Sequence, residues 1–561
     1  MKRAAISLAG AIGSAALLAI LARVSGASFV VGFVALVPWL IALARTRSPL
    51  EALGAGLAMS MAFVVAVFDW LPPTIESYAG GRSPWPWVLL VALAPILEPQ
   101  FLTFALVRHL VGRSPAPRAM VRAVLLGAAT YVATELLSDK LLFDTLGQGL
   151  YPSRALRQGA DLVGVHGLTL MLLLVNEAVA ATLRRHPKPM SRAAFAPMAG
   201  ALALIAAWFG YGWIRCAQFD AQAARESQGP VVGVVQANLT EYDKLRAERG
   251  AYDAVRLILA EHDSLSDELR RHANPDVIVW PETVYPTTFG SPKSEAGAAL
   301  DLELLATASA SGAALVFGAY DTDTAGEYNA AFFVSPTPTA HPPTVTTYRK
   351  NHLFPFTEHV PAPFDTTWVH EQLPWVGHWI RGPGPEVVPM KLRDGRTLSV
   401  LPLICYDALS SEFVAKAANR GAELIVTLSN DSWFPDARAP RLHGVSAAFR
   451  SIETRLPQVR ATNSGISSVI SPTGDWLATA GWNERRVLSA RVPRALPGFV
   501  PAVHLAPWLG PTLACAALVA LLVLRTKGET RRTPAPAQST RANKPTPRSG
   551  ERGARGRARS K

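Results

Sequence analysis

Three side chains in this sequence stand where apolar runs end, and their types belong together chemically. The run Leu401-Pro402-Leu403-Ile404 stops at Cys405, which is followed by Tyr406 and Asp407. The run Val277-Ile278-Val279-Trp280 stops at Pro281 and presents Glu282. A third run closes at Tyr348-Arg349-Lys350. A thiol needs a base to become a nucleophile, and the oxyanion formed when it attacks a carbonyl needs a positive donor. A carboxylate and an ammonium supply these two functions, so the set can carry an acyl group on sulfur. Taken singly, each residue has a plainer reading. A free cysteine is often a small buried hydrophobe, and Glu282 and Lys350 alone read as a turn carboxylate and a surface charge.

Positioning three such residues requires strands that stop on one side of a sheet. The stretch from Gly229 onward supplies them. Apolar runs at 231–236, 277–280, 314–320, 330–334, 344–348, 398–404, 424–428, 459–470 and 487–490 read as strands. Helical patterns lie between them at about 244–272, at 300–310 and after Ser410-Ser411-Glu412, a plausible helix start. Alternating strands and helices imply a layered sheet-and-helix fold. Each of the three candidates then falls at a strand end, where backbone N–H groups of a following turn can also polarise a carbonyl.

The flanking sequence is of another kind. Only 17% of residues are charged, and long apolar segments lie near 4–24, 27–44, 52–71, 85–106, 120–137, 162–183, 193–214 and 508–524. Each approaches the roughly 20 helical residues that cross a hydrocarbon core. Lys2, Arg3, Arg45, Arg47, Arg108, Arg113, Arg118, Arg122, Arg184, Arg185, Lys188 and Arg192 fall in alternate loops, with Arg82, Lys140, Arg154 and Arg157 as exceptions. The positive-inside rule then places both termini in the cytoplasm and the sheet domain in the other compartment. The expected division is a seven-span region at 1–216, a catalytic domain at 217–498, an eighth span at 499–526 and a basic, disordered tail at 527–561. That tail carries much of the net charge of +13, so the charge implies no nucleic-acid partner. Cys216, Cys405 and Cys515 are too scattered for a disulfide framework or a metal site, and no metal or cofactor is expected. Glu98 within the fourth span reads as facing a lipid cavity or pairing with Arg108. The mouth of the sixth span, 157–167 with Asp161 and His166, reads as either a headgroup-facing surface or a helix cap. Paired ionisable residues look scarce within the spans, which argues against a pump.

The order and spacing of Trp280-Pro281-Glu282, Arg349-Lys350-Asn351-His352-Leu353 and Leu403-Ile404-Cys405-Tyr406-Asp407 resemble the nitrilase superfamily, with its Glu-Lys-Cys triad on an α-β-β-α sandwich. The run Arg349 to Pro361, the motif Ser429-Asn430-Asp431-Ser432-Trp433-Phe434, and His443, Arg450 and Arg460-Ala461-Thr462-Asn463-Ser464-Gly465 resemble the apolipoprotein N-acyltransferase family within it. So does 160–167 leading into a span that carries Asn176. The resemblance implies an acyltransferase that takes an acyl chain from a phospholipid onto Cys405 as a thioester. It then passes the chain to the α-amino group of a diacylglyceryl-cysteine lipoprotein. Glu282 would be the base and Lys350 the oxyanion donor. Glu358 would support Lys350, with Tyr406, Asp407 and Trp433 supporting the site or lining substrate. A bacterial inner membrane, with the catalytic domain outside the cytoplasm, follows from the same resemblance. Asp407 stands where glutamate is usual, Thr357 where glycine is usual, and the loop 436–440 has no counterpart. A membrane-anchored amidase is the alternative the triad alone leaves open; a transporter or an inert scaffold fits the residues less well.

Overall fold

The computed structural model describes residues 2–79, 83–112, 117–138, 141, 145–184, 192–225, 229–240, 246–248, 250–337, 343–373, 376–496 and 498–530. The tail beyond 530 lies outside the described residues. The chain forms two compact units, Met1–Ala517 and Leu518–Lys561, of which the first holds both the helical bundle and the sheet domain.

Among the described residues, seven helices are long and apolar enough to span a membrane, and there are eight spans when a bent pair counts as one. Trp85–Leu97 and Gln100–Val111 form that pair, meeting at 46°. Pro95 and Pro99 explain the break, since proline removes a backbone donor and clashes with the preceding turn. Small residues set the close crossings. A Cβ on Gly56 would come within 2.8 Å of the Leu102 backbone, so only glycine lets these helices touch. The second span is also broken, running as a 3-10 turn Gly26–Phe33 and then a helix Val37–Leu43. Asn176 repairs that break, accepting from the Leu36 N–H and donating to the Gly32 carbonyl, both at 2.8 Å.

Ionisable side chains are buried in pairs inside the bundle, contrary to the scarcity expected from sequence. Arg108 pairs with Glu177, and His166 with Glu135 at 2.8 Å. Glu98 therefore does not pair with Arg108. It is fully buried at the bend, where Gln100 donates to its carboxylate and Ser60 to its carbonyl.

In the sheet domain the strands are β1 Val231–Gln236, β2 Val277–Val279, β3 Tyr285–Thr288, β4 Ala314–Asp323, β5 Gly326–Ser335, β6 Thr344–Arg349, β7 Val388–Lys391, β8 Thr397–Ile404, β9 Leu424–Ser429, β10 Gln458–Thr462, β11 Ser467–Ile470, β12 Trp476–Ala480 and β13 Arg486–Arg491. One sheet has the order β13-β1-β2-β4-β5-β6 with β3 beside β4, and the other the order β12-β11-β10-β9-β8-β7. The centres, β1-β2-β4 and β8-β9-β10, are parallel. The apolar run 459–470 is thus two antiparallel strands around Asn463-Ser464-Gly465. Val234, Val279, Val316, Ile404, Val426 and Val459 pack between the sheets. Helices Ala251–Ala273 and Glu295–Ser311 cover the first sheet, and Ser411–Ala418 and Arg438–Thr454 the second, which gives an α-β-β-α sandwich.

Helix Arg438–Thr454 is apolar on two faces because it has two neighbours. Ala447 packs with the sheet, while Leu442, Val445, Phe449 and Ile452 join the core of the bundle. The segment 157–167 meets this side of the domain, and its polar groups do more than cap a helix. Asp161 accepts from Arg455 at 2.7 Å, from Arg215 at 3.0 Å and from Tyr211 at 2.7 Å. Arg455 also donates to Gln158 at 2.6 Å. The sixth-span helix Ala160–Arg184 breaks at Gly164, φ +71°, and the freed N–H of Val165 donates to Glu453 at 2.8 Å. The stretch 436–440, expected as a loop, begins helix Arg438–Thr454 and does related work: Arg438 bridges Asp436 and Asp69, at the end of the third span.

Candidate active site

Each of the three strand-end residues is placed by its own turn. After β2 the chain turns through Thr283, φ +56°, and lays Glu282 across β4. A Cβ on Gly318 would lie 2.6 Å from the Glu282 Cα, so glycine is required there for the close approach. Lys350 directly follows β6, its N–H donating to the Asn329 carbonyl at 2.8 Å. Cys405 follows β8 at φ +48°, a left-handed conformation that a side chain disfavours and that marks a built elbow. The chain then runs through a 3-10 turn Cys405–Leu409 into helix Ser411–Ala418, capped by Ser410, whose hydroxyl accepts from the Phe413 N–H at 3.2 Å.

These turns bring Glu282, Lys350, Cys405 and Glu358 together. The Lys350 ammonium, 1% exposed, donates to Glu358 at 2.8 Å and to Glu282 at 3.2 Å. Two donors absent from the expected set complete the cluster. Asn329 on β5 donates to Glu282 at 2.7 Å and to Glu358 at 3.1 Å, and the Asn430 N–H donates to the second Glu282 oxygen at 2.8 Å. Asn430 belongs to the motif 429–434, whose pattern gives it no particular role; Asn329 carries no signal, being one polar residue in an otherwise ordinary strand. The Phe354 N–H fixes the far oxygen of Glu358 at 2.7 Å. In that turn the left-handed residue is Phe356, φ +59°, and not Thr357, so a threonine at 357 needs no glycine-like freedom.

Burial governs the electrostatics. It pushes the Cys405 thiol well up, and the Glu282 charge adds to that while Lys350 opposes it. It raises the Glu282 carboxyl too, against the pull of Lys350. Burial disfavours charge on Lys350, but the Glu282 and Glu358 carboxylates overcome this and hold the ammonium well above its usual range. The resting site is therefore a protonated thiol beside a locked ammonium and a carboxylate made more basic than usual.

Asp407 braces the elbow from inside the domain. It is fully buried and accepts from the N–H groups of Ile404 (3.1 Å), Asn351 (3.2 Å) and His352 (2.7 Å) and from the Tyr348 hydroxyl (2.8 Å), with the His352 ring Nδ1 a further 3.3 Å away. It fastens the cysteine elbow to the lysine loop. Tyr406 and Trp433 do border the site, in a row of rings that continues into the bundle. Tyr406 packs on Phe354 at 5.2 Å, Phe354 on Trp433 at 5.4 Å, Trp433 on Phe434 at 3.9 Å, and Phe434 on Trp70 at 5.6 Å, next to the third span. The Trp433 indole N–H is fixed on the Asn430 carbonyl at 3.0 Å.

Two sheets packed back to back between helices, with carboxylates, an ammonium and a thiol at their strand ends, define a carbon–nitrogen-hydrolase type of domain, here carried on a multi-span helical region. The family model for carbon-nitrogen hydrolase matches residues 232–501, and that for the apolipoprotein N-acyltransferase N-terminal domain matches residues 15–178. An apolipoprotein N-acyltransferase from Bdellovibrio bacteriovorus is 28% identical over 80% of this chain and 81% of its own. One from Bradyrhizobium diazoefficiens is 30% identical over 75% of this chain and 76% of its own. Among solved structures, an amidase from Nesterenkonia sp. AN1 aligns with 49% of this chain and 94% of its own, at 18% identity and a TM-score of 0.35. The chain belongs to the apolipoprotein N-acyltransferase family. It is an acyltransferase and a multi-pass bacterial membrane protein.

Proposed function

We propose that this enzyme transfers an acyl chain from a phospholipid, through a thioester on Cys405, to the α-amino group of the N-terminal diacylglyceryl-cysteine of apolipoproteins. The observation that carries the reading is Lys350 buried between Glu282 and Glu358, with its charge felt by a cysteine at a left-handed elbow. Glu282 takes the Cys405 proton as the sulfur–carbon bond forms, and Lys350 faces the oxyanion. The ester carbon–oxygen bond then breaks, and the proton on Glu282 goes to the leaving lysophospholipid oxygen. In the second half the amine nitrogen bonds to the thioester carbon and the carbon–sulfur bond breaks. Glu282 accepts an amine proton and returns it to the thiolate. Glu358 keeps Lys350 in place, while Tyr406 and Trp433 form the wall along which the chain lies.

The test separates the two halves. With phospholipid alone, intact mass spectrometry is expected to show one acyl chain added at Cys405, with release of lysophospholipid. A diacylglyceryl-cysteine peptide should then discharge the adduct as an amide. Release of free fatty acid with the peptide left unmodified would mean that water resolves the thioester and that the enzyme is a hydrolase.

The division into a seven-span region at 1–216, a catalytic domain at 217–498 and an eighth span at 499–526 belongs to the same proposal, with the catalytic domain outside the cytoplasm. A cysteine placed at exposed Ser294 should react with an impermeant maleimide in intact cells, and one at exposed Arg118 only after permeabilisation. Finding both on one side means the orientation or the span count is wrong.

A further inference from the structure

Beneath the elbow lies a buried polar cluster that the acyl-transfer scheme does not use. His443, on helix Arg438–Thr454, is 3% exposed. Its Nδ1 lies 3.0 Å from Asp431 Oδ1 and its Nε2 lies 3.4 Å from the carbonyl oxygen of Cys405. Asp431 is fully buried and also accepts from Ser429 Oγ and Arg460 Nη2, both at 2.9 Å. Burial opposes its ionisation, but the His443 and Arg460 charges overcome that and hold the carboxyl at about 2. A carboxylate and a backbone carbonyl only accept, so each nitrogen of His443 faces a group to which it can donate.

Two features argue against a purely structural cluster. Asp431 already has a hydroxyl and a guanidinium as donors, so the imidazole is not needed to give it hydrogen-bond partners. Arg460 Nε and Nη1 have no acceptor among the described residues, so the cluster is costly to bury. Such costs are retained where a site needs them. The cost here falls directly under Cys405, whose φ of +48° must be imposed by its surroundings.

We propose that His443 is a positioning residue for the nucleophile. Anchored through Nδ1–H on Asp431, its Nε2–H holds the Cys405 carbonyl and keeps the elbow in the left-handed turn that presents the thiol to Glu282 and Lys350. This rests on the reading of Cys405 as the acyl carrier.

The amide nitrogen of asparagine falls near the Nδ1 position of histidine and that of glutamine near Nε2, so two variants separate the two contacts. His443→Gln keeps a donor for the elbow, and His443→Asn keeps one for Asp431. With phospholipid alone, acyl-adduct formation on Cys405 should be about 10²-fold slower in His443→Asn, the size of loss that misplaced reacting groups produce, and within about tenfold of the unaltered enzyme in His443→Gln. A merely structural histidine would lower the melting temperature in both without that split. Equal rates, or glutamine slower than asparagine, overturn the proposal. If neither variant folds, Asp431→Asn, which keeps the volume but replaces the charged anchor of Nδ1 with a neutral acceptor, should slow adduct formation within the same tenfold allowed for His443→Gln; an unchanged rate there also overturns it. An unaltered enzyme that forms no adduct at Cys405 overturns instead the proposed function, so the two failures are distinct.

Discussion

Cys405→Ala is expected to abolish both the acyl adduct and transfer to a lipopeptide, a loss of about 10⁶-fold by analogy with removal of other covalent nucleophiles. The substitution deletes one sulfur atom and leaves a Cβ at the same strained φ, so insertion and folding should be unchanged. The elbow itself is held by contacts that do not involve the thiol: Asp407 to the lysine loop, Ser410 as the cap of the following helix, and His443 on the carbonyl. Cys216→Ala and Cys515→Ala serve as controls, because neither side chain belongs to the site. Both should retain full transfer. Turnover by Cys405→Ala would falsify the assignment of the nucleophile.

Glu282→Gln and Lys350→Met should both be severe, but they should differ with pH. Without Glu282 the thiol has no proton acceptor, and adduct formation must wait for spontaneous ionisation. An ordinary thiol ionises near about 8.5; burial pushes Cys405 higher, so the variant should gain rate with each step into alkali and still fall short of the unaltered enzyme. In the unaltered enzyme Glu282 must be ionised to act. Because burial raises its pKa, activity should fall on acidification at a midpoint above the ordinary glutamate value of about 4.3.

Lys350→Met removes the oxyanion donor, a loss of about 2.7–4 kcal/mol in the barrier, and alkali restores nothing. It also leaves two buried carboxylates facing each other, at a cost of about 3–5 kcal/mol of stability at neutral pH. That cost has a sign in pH. With the ammonium gone the folded carboxyls bind protons more tightly than the unfolded ones, so this variant should become less stable as pH rises. The checks are rates of adduct formation and melting temperatures across pH for both variants. Alkaline rescue of Lys350→Met rather than Glu282→Gln would mean that base and oxyanion donor are exchanged.

How much the sequence reveals depends on how local the signal is. Glu282, Lys350 and Cys405 are legible because each interrupts an apolar run, and an apolar strand that stops at a reactive residue puts that residue at a strand end. Asp407 reads as supporting the site or lining substrate, since its place two positions after Cys405 fits either. The positive φ at Cys405 turns the chain back under itself, and no residue pattern marks that reversal. Asp161 and His166 read as interfacial because polar groups beside a span usually are. The Asp161 partner, Arg455, lies 294 positions away, on the far side of most of the catalytic domain's sequence. Glu98 and Arg108 look like neighbours on one helix, but the bend at Pro99 sends Arg108 towards Glu177. Asn329 can be found only from the geometry of the carboxylates it bridges.

Helix Arg438–Thr454 grips the elbow carbonyl through His443 and the broken sixth span through Glu453. Ten positions separate the two grips, about 15 Å along the axis, and they point about 80° apart around it. The helix is thus a ruler with a phase. A one-residue insertion between the grips would rotate one of them by about 100° and lengthen the rod by about 1.5 Å. The length of this stretch is therefore locked, because the same rod sets the distance from the broken sixth span to the elbow of Cys405.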